Sequence, residues 1–246
     1  MLMRGFLYAS LITFITHYSF HANAEALEIE NPRDPWESLN RKVFVFNDTA
    51  DRYVLAPVAR GYRAVTPDPV ETGISNVFSN FLEITTIAND LLQFEFARAG
   101  ADTGRFLINS TIGILGIFDV ASKVGLEKHD QDFGLTLAAW GLDSGPYVVL
   151  PMIGPSTLRD GFGVVVDGAT SDYSNELNHI RTRNQVKAAQ IVDKRASLLK
   201  AEDLLSGDRY IFIRDVYLQR RDAAAGVEVE ASGFGEEDFE SFDNWD

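Results

Sequence analysis

The 246-residue chain contains no cysteine. That absence excludes disulfides, thiol chemistry and cysteine-based metal sites together, and it leaves no thiol to accept the lipid of a bacterial lipoprotein. Basic residues are scarce, 22 against 36 acids. Nucleic-acid affinity rests on neutralising phosphates with Lys and Arg, so no nucleic-acid partner is expected. The same balance argues against holding anionic headgroups by charge alone. Histidine occurs four times. His17 and His21 fall in a segment expected to be removed, and His129 and His179 show no His-Glu-x-x-His pattern and are read as surface residues. No Gly-x-Ser-x-Gly elbow and no Gly-x-x-x-x-Gly-Lys-Ser/Thr loop occurs. Ser197-x-x-Lys200 matches a serine–lysine hydrolase spacing, but its companion motifs are missing. Asp130-Gln131-Asp132 lacks the glycine and the closing glutamate of a calcium loop. The expectation is a protein that is not an enzyme, with no metal and no cofactor.

What is present begins with a targeting pattern. Arg4 gives a basic start, residues 5–15 (GFLYASLITFI) form an uncharged run, and Ala22-Asn23-Ala24 puts small residues at −3 and −1 of a cleavage site. Residues 1–24 therefore read as a signal peptide. Its removal takes Arg4 with it, moving the net charge from −14 to −15. Residues 25–33 read as a polar leader, 34–221 as one helical domain, and 222–246 as a disordered acidic tail, with nine acids and no bases.

Asp34-Pro35-Trp36-Glu37 has the grammar of a helix start, with Asp as the cap, Pro at the first position and Glu at the third. Asp68-Pro69-Val70-Glu71 repeats it. Pro57 interrupts the first helical pattern. Residues 70–105 read as a nearly continuous helix whose apolar positions wrap much of its circumference, wider than a one-sided stripe requires. Residues 106–118 (FLINSTIGILGIF) are the longest uncharged apolar run after the signal that proline does not break. Thirteen helical residues reach about 20 Å, short of the roughly 30 Å hydrocarbon core, so this run cannot cross a bilayer as one helix. Gly113 and Gly116 favour a turn between two apolar arms, a hairpin suited to a core or to dipping into a membrane.

Residues 145–155 hold three prolines and read as an extended segment against helices, a central strand being disfavoured. A fresh helix starts near Ser156-Thr157 and runs toward Gly168. Residues 176–205 form a charge-laced helical pattern. Gly207-Asp208 is a break before a last helix that interleaves Tyr210 and Tyr217 with Arg209, Arg214, Arg220 and Arg221. The fold class is all-α. Seventeen Phe beside a charged C-terminal half suit a monotopic chain with one end for lipid and the other for water.

The order of short motifs adds a family. Asp34-Pro35-Trp36-Glu37-Ser38-Leu39-Asn40-Arg41, followed by Val43-Phe44-Val45-Phe46-Asn47, resembles the opening of the MlaA/VacJ family. Blocks at Gly73-Ile74-Ser75-Asn76, Asn89-Asp90-Leu91-Leu92-Gln93, Arg105-Phe106-Leu107-Ile108-Asn109, Gly145-Pro146-Tyr147-Val148 and Gly154-Pro155-Ser156-Thr157-Leu158-Arg159-Asp160 follow in the family's order. The resemblance implies a ring-shaped helical domain lying in the inner leaflet of the outer membrane, on its periplasmic side, with an amphipathic channel. It implies maintenance of lipid asymmetry: phospholipids mislocalised to the outer leaflet pass through the channel to a periplasmic MlaC-like carrier, beside a trimeric porin. Channel or gating candidates are Val45, Phe46, Asn47, Gly113, Ile114, Leu115 and Gly116. Carrier-facing candidates are Tyr210, Arg214, Tyr217 and Arg221. A porin-associated structural role and a phospholipase are the alternatives. Familiar members carry a lipidated cysteine, which this sequence lacks.

Overall fold

The computed structural model describes residues 31–170, 179–199 and 207–227. The expected signal peptide, most of the leader, the tail beyond residue 227 and Lys200 of the Ser197-x-x-Lys200 pattern lie outside the described residues. The chain divides into two compact units, Met1–Pro32 and Arg33–Asp246. All the described helices and strands belong to the second.

Helix α1 spans Glu37–Ala50. It starts two residues later than Asp34 as cap would give, and no side chain caps it. Asp34 turns inward instead, accepting hydrogen bonds from Asn40 at 2.8 Å and from the Tyr210 hydroxyl. A π-helical turn, Asp51–Leu55, links α1 to α2, Ala56–Val65. Pro57 explains it. Its ring cannot donate to the carbonyl four residues back, so the ladder widens to an i→i+5 turn just before it, and the helix continues rather than stopping.

Helix α3, Asp68–Leu92, follows the extended Pro67, with Asp68 as its first residue rather than its cap. The expected continuous helix over 70–105 is broken: the chain reverses at residues 93–95 and returns along α3 as α4, Phe96–Thr111. Phe94 takes a left-handed φ of 61° to make the reversal. No glycine or proline marks this turn, which is why periodicity read through it. The true helical hairpin is thus α3–α4. The second arm expected after Gly116 is only α5, Val120–Lys123, capped by Asp119.

Helix α6, Phe133–Ala139, is capped by the Asp132 side chain. The proline-rich segment forms a two-stranded antiparallel hairpin, β1 Tyr147–Leu150 and β2 Gly154–Thr157, registered Tyr147 to Thr157. Edge strands tolerate Pro155, and Pro151 falls in the turn, so among the described residues this ribbon alone corrects the all-α expectation. The outer edge of β1 meets side chains of α1, not a strand. Asn40 bridges the Tyr147 carbonyl and Val149 N–H, and Asn47 bridges the Leu150 carbonyl and Met152 N–H, all at 2.8–3.0 Å. Two carboxamides seven residues apart thus close an edge that would otherwise be unpaired.

Helix α7, Leu158–Thr170, begins where Thr157 accepts from the Asp160 N–H. Helix α8 spans Ile180–Ser197, and α9, Arg209–Ala224, is capped by Asp208 after the break at Gly207. A small apolar core joins β1 to α9 through Tyr147, Val149, Tyr210 and Leu218, with Val43 and Phe44 of α1 against it. Among the described residues no helix is long and apolar enough to cross a membrane.

Candidate functional site

The burial pattern of α3 and α4 is inverted. Along α3 the buried positions are Gly73, Asn80, Glu83, Thr86, Asn89 and Asp90, spaced mostly three or four residues apart, and all but Gly73 are polar, so they make one polar stripe. Leu82, Ile84, Leu91 and Leu92 of the same helix are exposed, as are Phe96 and Leu107 of α4. A soluble helix does the opposite.

The polar stripe is met partly across the hairpin and partly by Gln131, Thr136 and Asp167, while Asn80 Oδ1, Glu83 Oε2 and both Asp90 carboxylate oxygens are buried without a hydrogen-bond partner among the described residues. Asn80 donates to the Ser110 hydroxyl at 2.9 Å, and Arg105, buried, donates to buried Glu83 at 3.1 Å. Arg105 also reaches Ser122, the Leu126 carbonyl and Asp119, so one guanidinium ties α3, α4 and α5 together. Burial raises the Glu83 pKa, and Arg105 draws it back only partly. Further along, Asp90 and Asp102 are both fully buried and face one another. Burial first, then the neighbouring Asp102 carboxyl, raises Asp90 to about 7, while Arg98 at 3.7 Å opposes the rise. His129 contacts Asp102 through Nδ1 at 3.0 Å and is half-buried, which corrects its reading as a surface residue. His179 is exposed, and Ser197 spends its hydroxyl on the Lys194 carbonyl.

At the N-terminal half of α3 the outer surface hollows into an apolar cleft of about 470 Å³, between Val70, Ile74, Val77 and Phe78 and the returning Ile117 and Phe118. Residues 112–118 form its lip. They close as a tight turn, with Gly116 N–H bonded to the Asn109 carbonyl at 2.8 Å and Phe118 N–H to the Gly113 carbonyl at 2.9 Å. Both glycines are required. A Cβ on Gly113 would lie 2.2 Å from the Phe118 carbonyl oxygen, and one on Gly116, at φ 89°, would lie 2.7 Å from Asn80 Cβ. Asn76 fastens the lip through the Ile117 carbonyl. Between the glycines, Ile114 and Leu115 hold left-handed φ values of 53° and 58° and stand 57% and 69% exposed. A β-branched residue in that conformation is strained, and an apolar tip presented to water is costly as well. Met152, at the tip of the β1–β2 turn, repeats the combination of positive φ and exposure.

The other sequence candidates divide. Val45 and Phe46 are exposed on α1, while Asn47 faces β1 as the clamp on its outer edge. Tyr210 and Arg214, 2% and 6% exposed, are internal. Arg214 reaches Asp34, and Tyr210 packs edge-on against Phe44. Tyr217 and Arg221 both bind Asp160, and Arg221 also binds Asp132. Burial would raise the Asp160 pKa, but the Arg221 hydrogen bonds and charge prevail and lower it. These four side chains therefore hold α9 to α1, α6 and α7, a correction to reading them as a carrier-facing surface. Among the described residues no three His, Asp or Glu side chains are placed to share a metal ion.

A helical protein whose α3–α4 hairpin buries polar side chains and exposes large apolar ones is the class that fold and site define. The chain belongs to the MlaA family: the model of the "MlaA lipoprotein" family matches residues 32–224. It is 37% identical over 198 residues to an uncharacterised protein of Rickettsia prowazekii, covering 78% of this chain and 77% of the relative. It is 34% identical over 200 residues to the Escherichia coli K12 protein named intermembrane phospholipid transport system lipoprotein MlaA, covering 78% of each. The Haemophilus influenzae protein of the same name is 33% identical over 202 residues, with 80% of this chain and 81% of the relative covered. Among solved structures, a chain from "Structural basis for maintenance of bacterial outer membrane lipid asymmetry" superposes with a TM-score of 0.67 at 35% identity, covering 78% of this chain and 98% of that one.

Proposed function

We propose that this chain is a phospholipid-transport component that maintains outer-membrane lipid asymmetry. It lies in the periplasmic leaflet as a ring, takes phospholipid mislocalised to the outer leaflet through an amphipathic channel, and passes it to a soluble MlaC-like carrier beside a trimeric porin. No bond is made or broken.

One observation carries this reading: polar side chains pair inside the α3–α4 hairpin while large apolar ones face outward, although no described helix can span a bilayer. Such a surface suits a chain half-sunk in lipid. Family membership and the names of the relatives supply the transport role. The apolar cleft beneath the 112–118 lip is sized for an acyl chain, within the usual range of ligand pockets. Gly113, Ile114, Leu115 and Gly116 gate it, Val45 and Phe46 line the lipid path, and Asn47 fixes the β1 turn beside them. Helix α9 meets the carrier with outer residues such as Arg220, its inner side chains being committed. Apolar burial along the hairpin helps hold the chain in place.

The test is transfer. The protein is reconstituted with labelled phospholipid and offered a soluble periplasmic carrier. Labelled, intact phospholipid on the carrier supports the proposal. Lysophospholipid and free fatty acid would replace it with hydrolysis, and unchanged vesicles with a structural role at the porin.

A further inference from the structure

Helix α8 breaks the charge balance of the chain. It carries Arg181, Arg183, Lys187, Lys194 and Arg195 against a single acid, Asp193, in a protein of net charge −14. Its orientation is fixed from within. Asp193 is buried and accepts from the Tyr62 hydroxyl at 3.1 Å and the Ser75 hydroxyl at 2.7 Å, Ala196 is fully buried, and Arg195 is forked onto Asp51 at 2.6 and 2.9 Å.

With those groups inward, the outer line of the helix is determined. Ile180, Ile191 and Leu198 are eleven and seven residues apart, three and two turns, so they fall along one strip. They are 67%, 56% and 48% exposed. Exposed Lys194 flanks the strip on one side and exposed Arg181 on the other, while Arg183 and Lys187 are half-buried beside it. An apolar line bordered by long cationic side chains is the pattern of a helix lying at headgroup depth, its side chains sinking their stems and leaving charge at the phosphates. An acidic protein surface would satisfy the cations but would leave three apolar side chains against charge.

We propose that the outer face of α8 is a headgroup-level contact that recognises anionic phospholipid at the membrane surface. The claim rests on the membrane placement in the proposed function and adds to it a preference for negative charge, which the acidity of the whole chain would otherwise oppose.

Flotation of the full-length protein with vesicles separates the two claims. Neutral phosphatidylcholine vesicles are compared with vesicles containing phosphatidylglycerol, at low and high salt. The proposal expects binding to both, tighter to the anionic ones, with the difference lost in high salt. Arg181→Gln with Lys194→Gln should cut anionic binding by about 25-fold, roughly fivefold per cation, and leave neutral binding unchanged. Equal binding to both vesicles, or a double variant that binds anionic vesicles like the parent, overturns the α8 assignment alone and gives its cations to an acidic protein or to solvent. Failure to bind either vesicle overturns the membrane placement itself.

Discussion

Replacing Arg105 by Met tests whether the polar interior is organised by its buried ion pair. Arg105 and Glu83 are each 2% exposed in side chain, and the guanidinium also serves the Ser122 hydroxyl, the Leu126 carbonyl and Asp119. Methionine keeps most of the volume and removes every donor. Truncating one partner of such a pair costs about 3–5 kcal/mol, because the other charge stays buried and unpaired. For a domain of this size that is a fall of roughly 6–20 °C in Tm. The loss depends on pH. Burial already raises the Glu83 pKa in the folded state, and losing Arg105 raises it further. A carboxyl whose folded pKa lies above its unfolded one takes up a proton on folding, so its penalty grows as pH rises from the unfolded pKa toward the folded one. The deficit in detergent should be largest at pH 8 and shrink toward pH 5, and adding Glu83→Gln should recover much of it. A deficit below about 1 kcal/mol, or one of equal size at both pH values, would refute the reasoning.

The same geometry sets three further outcomes. Asp90 is an acid with a folded pKa raised to about 7, so its contribution to stability falls as pH rises through the window from about 4 to 7; Asp90→Asn should flatten that part of the Tm–pH curve and stabilise at pH 8, and an unchanged slope would deny that burial raises this carboxyl. Gly116→Ala places a Cβ 2.7 Å from Asn80 at a φ of 89° and should cost about 1–3 kcal/mol in chemical unfolding, whereas a neutral result would show that the 112–118 lip is not fixed to α3. Ile114→Gly relieves a left-handed β-branched residue, about offsetting the entropy cost of glycine, so stability should barely move while vesicle affinity falls roughly tenfold or more. Undiminished vesicle binding would mean that this tip does not meet lipid.

Much of the fold was legible wherever local chemistry decides it. Gly207-Asp208 and Thr157 mark helix starts that the structure keeps, and Gly113 and Gly116 place a turn that only glycine permits. Where long-range partners decide, local grammar misled. Asp34 has every feature of a cap but is drawn to Asn40 and Tyr210, and Phe94 reverses the chain without a breaker because Trp140 holds the Leu92 carbonyl and Arg98 reaches back to Asp90 across it. The polar stripe of α3 was in the sequence, at positions 80, 83, 86, 89 and 90, but reading apolar residues as core hides it. An inverted protein is recognised by where its amides and carboxyls repeat. The arginines of α9 were singled out for charge, yet an arginine opposite Asp132 and Asp160 belongs to the interior, and those partners are some sixty to ninety residues away in sequence.

The central claim is that the outward apolar surface and the cleft beneath the lip take phospholipid unchanged. Mass spectrometry of the protein purified from membranes measures this most directly. The account predicts intact diacyl phospholipid released from the protein, reduced when Ile74→Asp places a charge in the cleft of an otherwise folded chain. Protein carrying only lysolipid or fatty acid, or lipid content that ignores the cleft substitution, would contradict it.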